Sequence, residues 1–278
     1  MTMRGMVLCA LGGLSSFAQN PATNTREINV HSVEKEAALG KQLADEFREG
    51  ATAITSPTVQ QYIENLGKKL AAQMPKIPFT LSFSVIAEDP CPTIHEPAAL
   101  PGGYVFVSAP LFVAAQDEAE FAGMLAHSMA HVVQRHGTQH AAGGELTQPP
   151  SIPLVFAGSI GCTSQPFPLA MLRIQRTYER DADLLAIQTM ARAGFDPNAL
   201  VRYTERVQPR ESVTPVVFSP LPRRDDRMST MSSAIAKLPT IDYAAPTPAE
   251  FEAAREAVRQ FLPLSHPAPP SLKRKPPQ

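Results

Sequence analysis

The chain has 278 residues, 44% hydrophobic and 18% charged, with 25 Lys and Arg against 26 Asp and Glu for a formal net charge of -1. That length buries one sizeable core, and so even a charge balance supplies no field for nucleic acid or an anionic membrane surface, so neither is expected as a partner. The prolines concentrate between Pro149 and Pro168 and after Pro246, which marks those stretches as irregular.

Residues 1–18 read as a secretory signal peptide: Arg4 precedes an apolar run from Met6 to Leu14, and small residues Ser16 and Ala18 follow. The run is too short to cross a bilayer, and no later stretch is long and apolar enough to span one. Cys9 lies inside the signal, but Met6-Val7-Leu8 lacks the small residue expected before a lipidated cysteine. The mature protein is therefore expected to be exported, periplasmic or extracellular, without a transmembrane segment. Cys91 and Cys162 remain, either as a disulfide or as two buried thiols.

After a polar linker at 19–31, VEKEAALGKQLADEFREG places Ala37, Leu39, Leu43 and Phe47 at helical spacing. PTVQQYIENLGKKLAAQM repeats the pattern with Val59, Tyr62, Ile63, Leu66 and Leu70. FTLSFSVIAED alternates Phe79, Leu81, Phe83 and Val85 as a strand, and PGGYVFVSAPLF repeats the strand signal after a Pro-Gly-Gly turn. Helical patterning returns from Asp117 to about Gly137 and from about Ala170 to Ala193. Near the end, Thr247-Pro248-Ala249-Glu250 combines a capping residue, a first-turn proline and a capping-box glutamate ahead of a short final helix. The Pro-rich basic tail at 263–278 is expected to be disordered. The fold class is thus α+β, mainly α, with a small sheet ahead of a helix that carries the chemistry. The expected divisions are a main domain over 32–240 and a C-terminal helix within 241–262.

Within MLAHSMAHVVQRHG, His127 and His131 stand four residues apart, which brings both imidazoles onto one helix face. An HxxxH pair alone is a weak signal. The later helix, RTYERDADLLAIQTMARAG, adds Glu179 and, one turn on, Asp183. Two histidines and a carboxylate with an open fourth position form the ligand set of hydrolytic zinc sites, and Asp183 would accept an imidazole N–H and fix its tautomer. The alternative for Glu179 and Asp183 is a solvated helix face paired with Arg176 and Arg180. His136 and His140 read as capping or surface residues, and Glu118 and Glu120 as a solvated first turn.

Taken in order, LPGGYVFVSAPLF, EAEFAGMLAHSMAHVVQRHG, YERDAD, ARAGFDPNAL and a downstream Arg227 resemble the HtpX-like and CAAX-prenyl-protease-like zinc metallopeptidases of family M48 across roughly 32–240. The resemblance implies a mostly helical zincin core, one zinc ion held by His127, His131 and Glu179, and endoproteolysis of extended or unfolded polypeptide. It also implies a substrate-pairing strand over Gly103, Tyr104, Val105, Phe106 and Val107.

One departure bears on chemistry. Where the family has a glutamate that takes a proton from zinc-bound water and hands it to the leaving amine, this chain has Ser128. A serine hydroxyl is too weak a base and too short, so hydrolysis should fall by about 10²–10⁴. Ser219-Pro220 replaces a family His-Pro, and Glu96-Pro97 stands near a family asparagine. Two functions follow: a zinc metalloendopeptidase with impaired catalysis, or a zinc-binding pseudoprotease that holds extended chains without cutting them.

Overall fold

A computed structural model describes residues 28–29, 32–87, 96–140, 169–208, 219, 221–243 and 248–262. The signal-like segment, nearly all of the linker, the three cysteines, the proline-rich stretch before Pro168 and the tail after 262 lie outside them.

Two amphipathic helices open the described chain. Helix α1 (Val33–Glu49) is capped by Ser32, whose side chain accepts from Lys35 N–H, and α2 (Pro57–Ala71) starts with its proline in the first turn. Val59, Tyr62, Ile63, Leu66 and Leu70 of α2 are buried, the stripe that its spacing predicts. In α1 the expected Ala37, Leu39, Leu43 and Phe47 are only half-buried, and the buried face is Glu36, Gly40 and Ala44. The reason is close approach: a Cβ at Gly40 would lie 1.8 Å from Pro101 O, so the helix axis runs hard against the turn beneath it.

The sheet has three strands in the order β2-β4-β3, with β2 at Ser82–Ile86, β3 at Ala98–Leu100 and β4 at Tyr104–Ser108. Strand β4 is central, parallel to β2 from Ser82↔Tyr104 and antiparallel to β3 from Ala98↔Phe106 to Leu100↔Tyr104. The connection between β3 and β4 is the Pro-Gly-Gly turn, with Gly102 at φ 74° and Gly103 at φ 102°, a conformation that only glycine adopts without strain. This arrangement corrects the expected substrate strand. Over Tyr104–Phe106 the backbone of β4 is paired on both sides, so the edges of the sheet are β2, whose end is met by residues 52–54, and β3, a strand too short for its periodicity to be read. The chain after β4 also differs from expectation: Ala109–Ala114 is helical (α3), because Ser108 caps a first turn that carries a proline. A further two-residue strand, β1 (Ile28–Asn29), pairs antiparallel with β5 (Gln139–His140).

Helix α4 (Glu118–Val133) runs through the middle, with every residue from Ala119 to Val132 buried, so it is enclosed rather than amphipathic. Asp117 Oδ1 caps it, accepting from Glu120 N–H at 2.8 Å. Helix α5 (Leu169–Arg192) packs along it, followed by α6 (Asn198–Val207), α7 (Arg224–Ile235) and α8 (Ala249–Arg259). Thr247, the expected cap of α8, lies outside the described residues, and Pro248 occupies the capping position without a side-chain bond. Tyr62, Phe112, Phe121 and Phe251 bring α2, α3, α4 and α8 together with ring centroids 4.2–6.2 Å apart. Below α4 this cluster forms a rigid support. Its upper face, turned to α5, carries the polar groups.

Candidate metal centre

Helical spacing places His127 and His131 one turn apart on α4, and the packing of α5 across them brings in Glu179. Their donor atoms converge: His127 Nε2 lies 3.2 Å from His131 Nε2 and 3.5 Å from Glu179 Oε2, and His131 Nε2 lies 3.8 Å from Glu179 Oε1. All three side chains are buried. The convergence agrees with the sequence expectation and excludes the solvated-face alternative for Glu179 and Asp183, both 1% exposed.

Residues behind the triad fix its orientation. His127 Nδ1 lies 2.9 Å from Asp183 Oδ1, which leaves Nε2 to face the other two donors. Asp183 is itself gripped by Arg227, which donates from Nε at 2.6 Å and from Nη2 at 2.8 Å, a bidentate pair buried between α5 and α7. Gln175 Nε2 donates to Glu179 Oε1 at 3.1 Å, while Glu179 Oε2, 3.6 Å from Arg227 Nη2, makes no hydrogen bond among the described residues. A buried carboxylate oxygen without a hydrogen bond, beside two converging imidazole nitrogens, is what a metal ion would satisfy. The donor set of two nitrogens and one carboxylate suits zinc.

Electrostatics point the same way. Burial disfavours a charged His127, but the Glu96 charge and the Asp183 and Glu179 contacts outweigh it and hold its pKa well above the usual histidine value, so the pocket stabilises positive charge. Burial lowers His131 below its ordinary value, leaving it neutral with a lone pair to give. Burial would raise Glu179 and Asp183. The histidines prevail at Glu179, and the Arg227 charge prevails at Asp183, so both lie below the usual carboxylate range.

Two neighbours were not legible in the sequence. His136 is buried, stacked on Tyr178 at 4.3 Å, with Nδ1 3.1 Å from His131 Nδ1; its backbone N–H caps the helix end by donating to His131 O at 3.0 Å, but it is not a surface residue. Arg135, at φ 57°, turns the chain back so that this histidine meets the ligand from behind. Burial, then the neighbouring imidazoles, push its pKa well down, so it stays neutral and orients His131. Glu96, ahead of β3, places Oε2 2.9 Å from His127 Nε2. Glu120 is also corrected: it is fully buried, paired with Arg206 and accepting from Gln116 N–H, while Glu118 accepts from Tyr62 OH.

Ser128 is fully buried, and its Oγ has no hydrogen-bond partner among the described residues. Ser219 is tied into its own turn with Leu221. Beyond Asp183, between α5 and α7, a cavity of about 350 Å³ is lined by Arg176, Arg180, Arg223 and Arg227.

The sequence pattern of peptidase family M48 matches residues 56–235, which include all of these groups on α4, α5 and α7. The chain belongs to peptidase family M48. Among curated relatives it is 28% identical over 224 residues to the beta-barrel assembly-enhancing protease of Escherichia coli strain K12, covering 73% of this chain and 44% of that protein. It is 27% identical over 218 residues to the protein of that name from Yersinia pestis, covering 71% of this chain and 43% of the relative. It is 29% identical over 218 residues to the mitochondrial metalloendopeptidase OMA1 of Schizosaccharomyces pombe, covering 73% and 62%. The chain spans about half the length of the first curated relatives it matches. In this M48 chain the His-His-Glu triad is intact and its geometry is that of a zinc site. No helix among the described residues is long and apolar enough to cross a membrane.

Proposed function

We propose that the chain is an exported zinc metalloendopeptidase acting on extended or unfolded polypeptide. The observation that carries this is the convergence of the His127, His131 and Glu179 donor atoms, with Glu179 Oε2 making no hydrogen bond among the described residues. A zinc ion held there would supply the Lewis acid that polarises a scissile carbonyl and activates water. The rest falls to the chain's own groups. Asp183, clamped by Arg227, keeps His127 in the tautomer that turns Nε2 forward, and His136 does the same for His131. As the terminal strand on the side of Glu96 and the triad, β3 offers its edge for an extended substrate to add as a further strand. Relatives named for β-barrel assembly favour a β-rich chain caught before it folds as the substrate class. Export rests on the signal-like run at the start of the sequence.

Ser128 favours a second reading, a non-catalytic protein that holds such chains, because its buried hydroxyl has neither a base beside it nor the reach of the family glutamate. The test is zinc content and casein cleavage by the mature chain, beside His131→Ala and Ser128→Glu. The peptidase reading expects about one zinc per chain and cleavage that His131→Ala abolishes. The holding reading expects zinc and casein binding, with cleavage only in Ser128→Glu.

A further inference from the structure

Position 128 lacks a carboxylate, yet the centre has one from another element. Glu96 Oε2 lies 2.9 Å from His127 Nε2, the nitrogen that faces the triad, not the one taken by Asp183. The Glu96 side chain is 14% exposed where that of Glu179 is 1%, so it stands on the solvent side of the centre while Glu179 closes the inner side. Its backbone is held. Buried Pro97 confines the residue before it to extended conformations, and pairing of β3 begins at Ala98. Extended substrate on β3 would therefore run directly past this carboxylate. Once His127 Nε2 gives its lone pair to a metal it has no proton to donate, and Glu96 loses that partner, free to accept from a water on the open side.

We propose that Glu96 performs the proton transfers for which position 128 has no group. This rests on the peptidase reading. In the step assigned to it, an O–H bond of the attacking water breaks as its oxygen bonds to the scissile carbonyl carbon, and the proton passes to the Glu96 carboxylate. As the C–N bond breaks, that proton moves to the leaving nitrogen, so Glu96 ends as it began and one water is consumed per peptide bond.

The experiment compares zinc-loaded wild type, Glu96→Gln, Ser128→Glu and the double variant on casein and on an unfolded peptide with a quenched fluorophore. Metal content, thermal unfolding and the visible spectrum of the cobalt(II)-substituted forms are measured alongside. Glu96→Gln should keep one metal per chain, an unchanged cobalt spectrum and a similar KM while kcat falls about 10²–10⁴-fold, and Ser128→Glu in that background should restore cutting. The proposal is overturned if Glu96→Gln cuts at the wild-type rate, if only the Ser128→Glu forms cut, or if the cobalt spectrum changes, which would make Glu96 a ligand. If no form cuts although all hold metal, the peptidase reading itself fails, and the proposal with it.

Discussion

Asp183 touches two groups, a histidine of the triad on one side and the Arg227 guanidinium on the other, and its value to the site depends on both. Removing the arginine leaves a buried carboxylate without its counter-charge, which typically costs about 3–5 kcal/mol. Arg227→Met should lower the urea midpoint accordingly and weaken zinc binding, read by competition with a chelating dye. The meeting of His127, His131, Glu179 and Asp183 was legible because spacing on a helix fixes which face a side chain takes. Glu96 and His136 were not. One reaches the centre only because β3 folds beside α4, and the other only because Arg135 takes a left-handed conformation that no local pattern announces.

At the scale of elements, α4 gains its position from both ends. Its start is tied by Glu120 to Arg206 of α6, and its far end by Glu36 of α1, which accepts from Arg135 Nε at 2.6 Å and Thr138 Oγ1 at 2.7 Å. The second tie holds the turn that presents His136. Glu36→Ala should therefore lower the melting temperature and weaken zinc affinity by less than the roughly 10–100-fold usual for a group that contacts a ligand, because residue 36 touches no ligand and acts only through the turn. Isothermal titration with zinc against the wild type checks this. Gly40→Ala on the same helix pushes a methyl into Pro101 O and should cost about 1–3 kcal/mol by thermal unfolding. The long helices were readable from their apolar stripes, but α7 buries only Arg227 and Met231 and offers no stripe to read, and β3 is three residues long.

Over the whole molecule, the polar centre above α4 is supported by the aromatic cluster below it, and Phe251 of α8 completes that cluster. Phe251→Ala should cost about 3–5 kcal/mol in denaturant unfolding, with the metal-site residues untouched. Helix α8 also carries Ala254 and Val258, both fully buried, into the core it shares with α2 and α3. The stretch that matches the family pattern stops at 235, before this helix begins. The segment by which the chain is recognised and the segment that must be present for its core to close are therefore different lengths, and a fragment cut to the first would expose the ring faces on which the metal-bearing helix rests.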